Sequence, residues 1–414
     1  MSQFRFKHLH VENFRCFDTL GLSLEDDLTV LFAENGGGKS ALLGALAMGL
    51  DIIQRDSPKD LKLTPARDPR LITLDEKGRR EAAGICTLAW RAEVGSANEV
   101  QWATSVNSAS GRIKKDHGAI VEAIERVRAP GERWPLFAWY GTDRMGRNRA
   151  RRRVRRPTAD RWDGYASALD PSLDDGSLLQ WFNDEILSDA VRRREGQEER
   201  FLDAAVTAAM VRATPGLARI WYEPRELGPK VLFETGHVAS WSELSDGFHV
   251  FLALVGDIAR RAVMLNESDG GEAPERAEGV VLIDEVDLHL HPQWQRTALD
   301  GLRNAFPRLQ FVVSTHSPQV LSSTKNRQVR RLVDWRIQEH NVFVEGRDSN
   351  AILREQMDTD DRGEAGTEDL DRLHRAIDSG SREEAERIYA ELLARWGSDD
   401  PALIRAKSFM DLGE

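Results

Sequence analysis

Cysteine is scarce: Cys16 and Cys86 are the only two in 414 residues. Two thiols can build neither a disulfide framework nor an all-cysteine zinc site, so both read as small core residues in a reducing compartment. Long apolar runs are lacking too, with none near the roughly 18 residues of a membrane span. The opening Met1-Ser-Gln-Phe-Arg-Phe-Lys7 has no signal-peptide core. A cytoplasmic protein without a membrane partner is expected. Positive charge is in deficit, with a formal net charge of −11, which argues against a surface coated for nucleic acid. The basic charge that exists is gathered: eight arginines lie between Arg144 and Arg156. Like charges with nothing apolar to bury make a solvated loop, and DNA, RNA or an acidic partner surface stays open as its ligand.

Against these absences stand 41% hydrophobic and 30% charged residues, a composition that supports a folded core. The most informative stretch runs from Leu28 to Leu46. Leu28 to Phe32 is a buried-strand pattern, three glycines follow, and Leu42, Leu43 and Leu46 recur at helical spacing. Strand, glycine turn and helix N-terminus in this order cradle phosphate on backbone N–H groups. Gly38, Lys39 and Ser40 match the end of the P-loop pattern, while Ala33 stands where its first glycine is expected. The loop Asn35, Gly36, Gly37, Gly38, Lys39, Ser40 and Ala41 is therefore the expected nucleotide site. Lys39 would reach the β- and γ-phosphates and Ser40 would hold Mg²⁺.

Other segments order themselves around this one. Residues 4–14 alternate as a first strand, 85–94 and 100–106 as a hairpin, and 136–140 as a short apolar strand. Residues 176–213 read as two helices, followed by strands near Ile220 and Val231. A long apolar helix is expected from Trp241-Ser-Glu-Leu-Ser-Asp-Gly-Phe248 to Met264, then an acidic flexible loop at 266–278. Gly279 to Ile283 and Leu309 to Thr315 read as buried strands, with Pro292 at a helix start. Beyond 350 the chain is helical and charged; Ser381 and Glu384 have capping-box spacing, and Ile388, Leu392, Leu393 and Trp396 form an apolar stripe.

Four motifs thus stand in order: the P-loop, Leu244-Ser-Asp-Gly-Phe248, Val280-Val-Leu-Ile-Asp-Glu285 and Ser314-Thr-His316. Asp284 and Glu285 follow four apolar residues, as a Walker B pair does. Asp284 would hold Mg²⁺, Glu285 would polarise the attacking water, and His316 would sense the γ-phosphate. The order resembles the ABC-type ATPase heads of the SMC and RecF class. The resemblance implies an α/β fold: a P-loop ATPase head with mixed sheet, antiparallel β subdomain, helical subdomain and short C-terminal helical tail. It implies ATP and Mg²⁺ as cofactors and makes Arg15, which by itself could equally face solvent, a nucleotide contact. It also implies a homodimer or higher oligomer whose heads sandwich ATP, with Ser245 and Gly247 of one chain facing the nucleotide of another. The class signature is Leu-Ser-Gly-Gly-Gln; here Asp246 and Phe248 replace a glycine and the glutamine, and His291 stands where the later loop has Asp.

The ATPase core is expected in 1–50 and 220–345, with 51–219 as an inserted β/helical subdomain and 346–414 as a C-terminal helical region. The tail from Gly346 to Met357 and its following helices resemble the Septu-type anti-phage ATPases, which implies a separate HNH-type nuclease as partner. Two rivals compete with this reading. Val344-Glu-Gly346 followed by Asp358-Thr-Asp360 has elements of a fused TOPRIM nuclease, yet lacks an apolar strand before the aspartates. The run from Asp284 to His291 has ligand types suited to zinc, but leaves 28–46 unexplained. A DNA-repair role for a RecF-like head is the third alternative. Sustained heptads are absent, which excludes a long-armed SMC protein.

Overall fold

The computed structural model describes residues 4–52, 61–73, 80–95, 98–142, 160–173, 175–226, 228–338, 342–357 and 363–412. They form two units, 1–346 and 347–414. The arginine-rich loop and the pair Asp358 and Asp360 lie outside the described residues.

A six-stranded sheet is the centre of the first unit, ordered β16-β15-β3-β14-β13-β9. Its strands are β3 (Leu28–Phe32), β9 (Leu136–Tyr140), β13 (Gly279–Ile283), β14 (Leu309–Thr315), β15 (Val329–Val333) and β16 (Arg336–Gln338). The first five run parallel, and β16 turns back antiparallel. Parallel strands covered on both faces are near-continuous apolar runs, and every residue of β3, β13 and β14 is buried. Because β14 lies between β3 and β13, the loops leaving these three strands share one edge of the sheet.

A five-stranded antiparallel sheet, ordered β2-β1-β6-β7-β8, lies beside it. It contains β1 (Phe4–Phe14), β2 (Phe17–Ser23), β6 (Ile85–Val94), β7 (Asn98–Asn107) and β8 (Ile113–Asp116). Alternation puts Phe6, Trp90 and Trp102 on its inner face, where the two indoles stack at 5.8 Å. Buried Gln310 of β14 joins the two sheets: its amide accepts from the N–H of Phe6 and donates to the carbonyl of Phe6, both at 2.8 Å. Smaller sheets pair β4 (Leu71–Thr73) with β5 (Arg80–Ala82), and β10 (Leu217–Glu223) with β11 (Gly228–Phe233) and β12 (Val238–Ser240). Segment 51–219 is therefore interwoven with the core, not set apart from it. It supplies edge strand β9 to the central sheet and β6 to β8 to the sheet begun by β1.

Helix α1 (Lys39–Asp51) runs buried beneath Trp90, whose indole donates to the Ala45 carbonyl at 2.9 Å. A Cβ on Gly49 would stand 2.6 Å from that nitrogen, so the close crossing needs glycine. α2 (Gly118–Val127) covers the hairpin β6–β7, while α3 (Asp175–Arg194) and α4 (Leu202–Ala213) pack with α5 (Asp246–Leu265). Residues 266–278 are not the expected loose loop. They coil into a 3₁₀ turn and α6 (Ala273–Arg276); Asn266 bonds both backbone groups of Trp134, and Asp269 takes Arg133 at 2.8 Å. α7 (Pro292–Gln295), α8 (Ala298–Ala305) and α9 (Pro318–Ser322) complete the unit.

The second unit holds α10 (Ser349–Gln356), α11 (Glu364–Asp378), α12 (Arg382–Trp396) and α13 (Pro401–Leu412). Its helices are charged but not coreless: Leu373, Ile388, Leu392 and Leu403 are buried together, with Leu393 and Trp396 packed against them. The expected capping box at Ser381 does not form. The Ser381 hydroxyl instead accepts from Ser379 at 3.1 Å. Among the described residues no helix is long and apolar enough to cross a membrane.

Candidate functional site

Strand β3 hands the chain to a tight loop in which Gly37 N–H donates to the Glu34 carbonyl at 3.1 Å. Gly36 and Gly38 adopt φ of 79° and 94°, which favours glycine at both. Space is equally restrictive. A Cβ on Gly38 would meet Phe17 Cζ at 2.4 Å, and one on Gly37 would meet the Ala33 methyl at 2.6 Å. Lys39 opens α1 and is buried, its Nζ donating to the carbonyls of Ala33 and Glu34 at 3.0 and 3.2 Å. Burial lowers its pKa, and the carboxylates of Asp284, Glu285 and Asp287 oppose that. Asn35, Gly36 and Ser40 are exposed at the mouth of the loop. No side chain caps α1, and no acid lies in its first turn. Its N-terminal N–H groups are thus an anion site with no built-in anion.

The carboxylate pair leaves the end of β13. Asp284 is 5% exposed, and its N–H donates to the carbonyl of Tyr140 at 2.8 Å. Ser314, at the end of β14, donates its hydroxyl to Asp284 Oδ1 and accepts the N–H of Glu285 at 2.8 Å. One serine therefore orients both acids. Glu285 takes φ of 48°, a strained value for this residue. Thr315 donates to Asp287 Oδ1 at 2.6 Å, so the next hydroxyl along β14 fixes a third carboxylate. His316 follows, half-buried. Burial and Lys39 lower its pKa, opposed by Glu285, Asp287 and Asp284. Lys39, Asp284, Glu285 and His316 are thus brought into one electrostatic cluster. The sequence reading missed Ser314 and Thr315 as the groups that orient its acids. Their signal was two hydroxyl residues directly after the apolar run Phe311-Val-Val313.

Arg15 sits in the turn between β1 and β2 at φ 51°. Its guanidinium pairs with fully buried Asp68 at 3.2 Å, and its N–H donates to the Asp68 carbonyl at 2.7 Å. Asp68, also unforeseen, accepts from the N–H of Thr64 at 2.7 Å and so braces Arg15 from the loop after α1. Ser245 is exposed at the start of α5, and its side chain makes no cap bond. Gly247 was expected to serve only a second chain. Within this chain a Cβ there would stand 2.0 Å from the His289 carbonyl, so the segment after Glu285 already demands glycine. Among the described residues no three His, Cys, Asp or Glu groups converge as a metal site, which leaves the zinc rival without a geometry.

Two family descriptions match the chain: "AAA domain, putative AbiEii toxin, Type IV TA system" over residues 126–322, and "AAA domain" over residues 8–179. The chain is 24% identical to the "Retron Ec83 probable ATPase" of Escherichia coli, over 98% of this chain and 86% of that protein. It is 48% identical over 99 residues to the "Retron Vc95 probable ATPase" of Vibrio cholerae, covering 24% of this chain and 19% of the relative. With the "Septu protein PtuA" of Bacillus mycoides it shares 41% over 115 residues, covering 28% and 14%. The last two matches thus span less than a fifth of those relatives. The SMC head domain from Thermotoga maritima superposes with a TM-score of 0.46 at 14% identity, over 79% of this chain and 94% of that one.

The chain has an α/β architecture in which the P-loop strand and the acidic strand flank a strand that ends in Ser-Thr-His, with an antiparallel sheet alongside. Its sequence relatives include the retron and Septu ATPases.

Proposed function

We propose that this chain binds and hydrolyses ATP, and that it is the sensor or regulatory ATPase of a prokaryotic anti-phage defence complex whose nuclease is a separate, HNH-type subunit. The observation that carries the ATPase reading is the convergence of Lys39, Asp284, Glu285 and His316 at adjoining strand ends. The defence assignment is supported by the names of the relatives, retron and Septu proteins.

The residues fit the nucleotide. Lys39 now donates to two loop carbonyls, acceptors that phosphate oxygens would replace. The uncapped N–H groups of Gly38 to Ala41 would hold the same oxygens, and Arg15, paired with Asp68, would add a cation. Ser40 and Asp284 would hold Mg²⁺, which when bound neutralises charge between the β- and γ-phosphates. Glu285 would take a proton from the attacking water as its oxygen bonds to the γ-phosphorus, and ADP would leave with the electron pair of the broken bridge. His316, whose pKa burial and Lys39 lower, would donate to the γ-phosphate. Ser245 of a second head would close the site, giving a dimer with two ATPs between its heads.

Two variants test the reading. Glu285→Gln should keep ATP binding, abolish turnover and trap the dimer, whereas Lys39→Ala should lose nucleotide affinity. Turnover at the wild-type rate in Glu285→Gln would refute the assignment of the acids. The nuclease reading has its own test: purified protein with Mg²⁺ or Mn²⁺ and ATP should leave DNA intact. Cutting by this chain alone, abolished on replacing Glu345 and Asp358, would establish the fused nuclease instead. A nuclease gene beside this one is expected on the present reading and not on that one.

A further inference from the structure

Trp335 has no part in the site assigned above. It occupies the two-residue turn between β15 and β16, where Val333 pairs with Arg336. Asp334 and Trp335 take φ of 49° and 58°. Turns of this kind favour Asn-Gly because both central residues need positive φ. A bulky ring there is strained, and strain persists where something else requires it. Burial is not that requirement, since Trp335 is 48% exposed. What the ring reaches is the phosphate loop: its Nε1 donates to the Gly36 carbonyl at 3.3 Å. β15 runs beside β3 with Arg331 opposite Phe32, so the turn lies where β3 gives way to the loop. The Gly36–Gly37 peptide is consequently held at both ends, its carbonyl by the indole and its N–H by Glu34.

We propose that Trp335 is a positioning residue for the phosphate loop. It fixes the Gly36–Gly37 peptide so that the N–H groups of Gly38 to Ala41 face phosphate before the nucleotide arrives. The inference rests on the nucleotide reading given above. A glycine-rich loop left free must be ordered on binding, and holding it in advance removes that cost. One neutral hydrogen bond corresponds to about two- to ten-fold in affinity. Because the contact is to the phosphate loop, the loss must be the same for ATP, ADP and GTP.

The test is calorimetric titration of the three nucleotides into the full chain as wild type, Trp335→Phe, Trp335→Gly and Lys39→Ala, with melting temperatures alongside. Trp335→Phe keeps a ring and removes the N–H. Trp335→Gly suits the positive φ better, so the fold is retained or stabilised while the contact is lost. Both should weaken all three nucleotides alike by about two- to ten-fold, with no fall in the melting temperature of the glycine variant. Wild-type affinity in both variants overturns the proposal. So does a loss confined to adenine nucleotides and spared in Trp335→Phe, which would assign the ring to the base. Wild type binding no better than Lys39→Ala is a separate result, and removes the nucleotide reading itself.

Discussion

Tyr140 donates its phenol to Asp257 Oδ2 at 2.7 Å in the interior of the molecule. Tyr140 ends β9 and accepts the N–H of Asp284 on its carbonyl, while Asp257 belongs to the helix that begins at the Ser245 segment. The acidic strand and α5 are therefore joined by one side chain as well as by the Gly247 approach to His289. Arg260 and Arg261 flank Asp257, and Arg261 also donates to the carbonyls of Gly164 and Ala166 at 3.0 Å.

Asp257→Asn should therefore destabilise severely, by about 3–5 kcal/mol, because it leaves buried Arg261 without its counter-charge. Tyr140→Phe removes one hydrogen bond and should cost about 1 kcal/mol. Denaturant titration measures both. Equal losses in the two variants would show that the charge pair does not dominate.

The same network sets an acid limit. Burial pushes the Asp257 pKa up, but Arg261 and Arg260 outweigh it and hold the carboxyl well below the usual carboxylate range. A depressed folded pKa means that the unfolded chain binds the proton first. The contribution is full above the unfolded value of about 3.9 and is lost as pH falls through the folded one. Stability measured from pH 4 downward should fall less steeply in Asp257→Asn than in wild type.

Ser314→Ala removes the hydroxyl that orients Asp284 and leaves the Glu285 N–H without its acceptor. Turnover should fall further than nucleotide affinity, since Lys39 and the loop N–H groups are untouched. Parallel measurement of ATP binding and phosphate release decides this; losses of the same size in both would contradict it.

Gly247→Ala forces a methyl to within 2.0 Å of the His289 carbonyl unless the backbone yields. An overpacked contact of this kind costs about 1–3 kcal/mol. A lowered melting temperature and reduced turnover are expected even in monomeric protein. Loss of activity with an unchanged melting temperature would place the role of Gly247 wholly in the second chain.

We propose nucleic acid as a ligand of the arginine loop, residues 144–156. If phosphates are engaged, each arginine contributes about 0.9 to the slope of log affinity against log salt concentration. Arginine-to-serine replacement should flatten that slope, and an unchanged slope removes nucleic acid as the ligand.

The parts of this molecule legible in the sequence are those whose cause is local. Leu28–Phe32, Gly279–Ile283 and Leu309–Thr315 read as strands because strands buried on both faces are near-continuous apolar runs. The P-loop, the acidic pair and His316 were legible because each terminates such a run. Gln310, Asp68 and Ser314 were not, since each owes its role to partners far along the chain; Gln310 and Phe6 are 304 positions apart. The segment 266–278 misled for the same reason. Its polar composition suggested a loop, but Asn266 and Asp269 find Trp134 and Arg133 only in the folded chain. Ser381 had the spacing of a cap and lost its hydroxyl to a neighbour two residues away.

Ala33 and Gly37 divide a single vacancy between them. The Ala33 methyl occupies the place that a side chain on residue 37 would need, so the loop has room for one carbon there and not two. The departure from the usual glycine spacing is thus an exchange of positions, with the requirement for glycine passed four residues along. Across relatives the two sites should vary as a couple: wherever position 33 reverts to glycine, position 37 is released to diversify, and wherever 33 keeps its methyl, 37 stays bare.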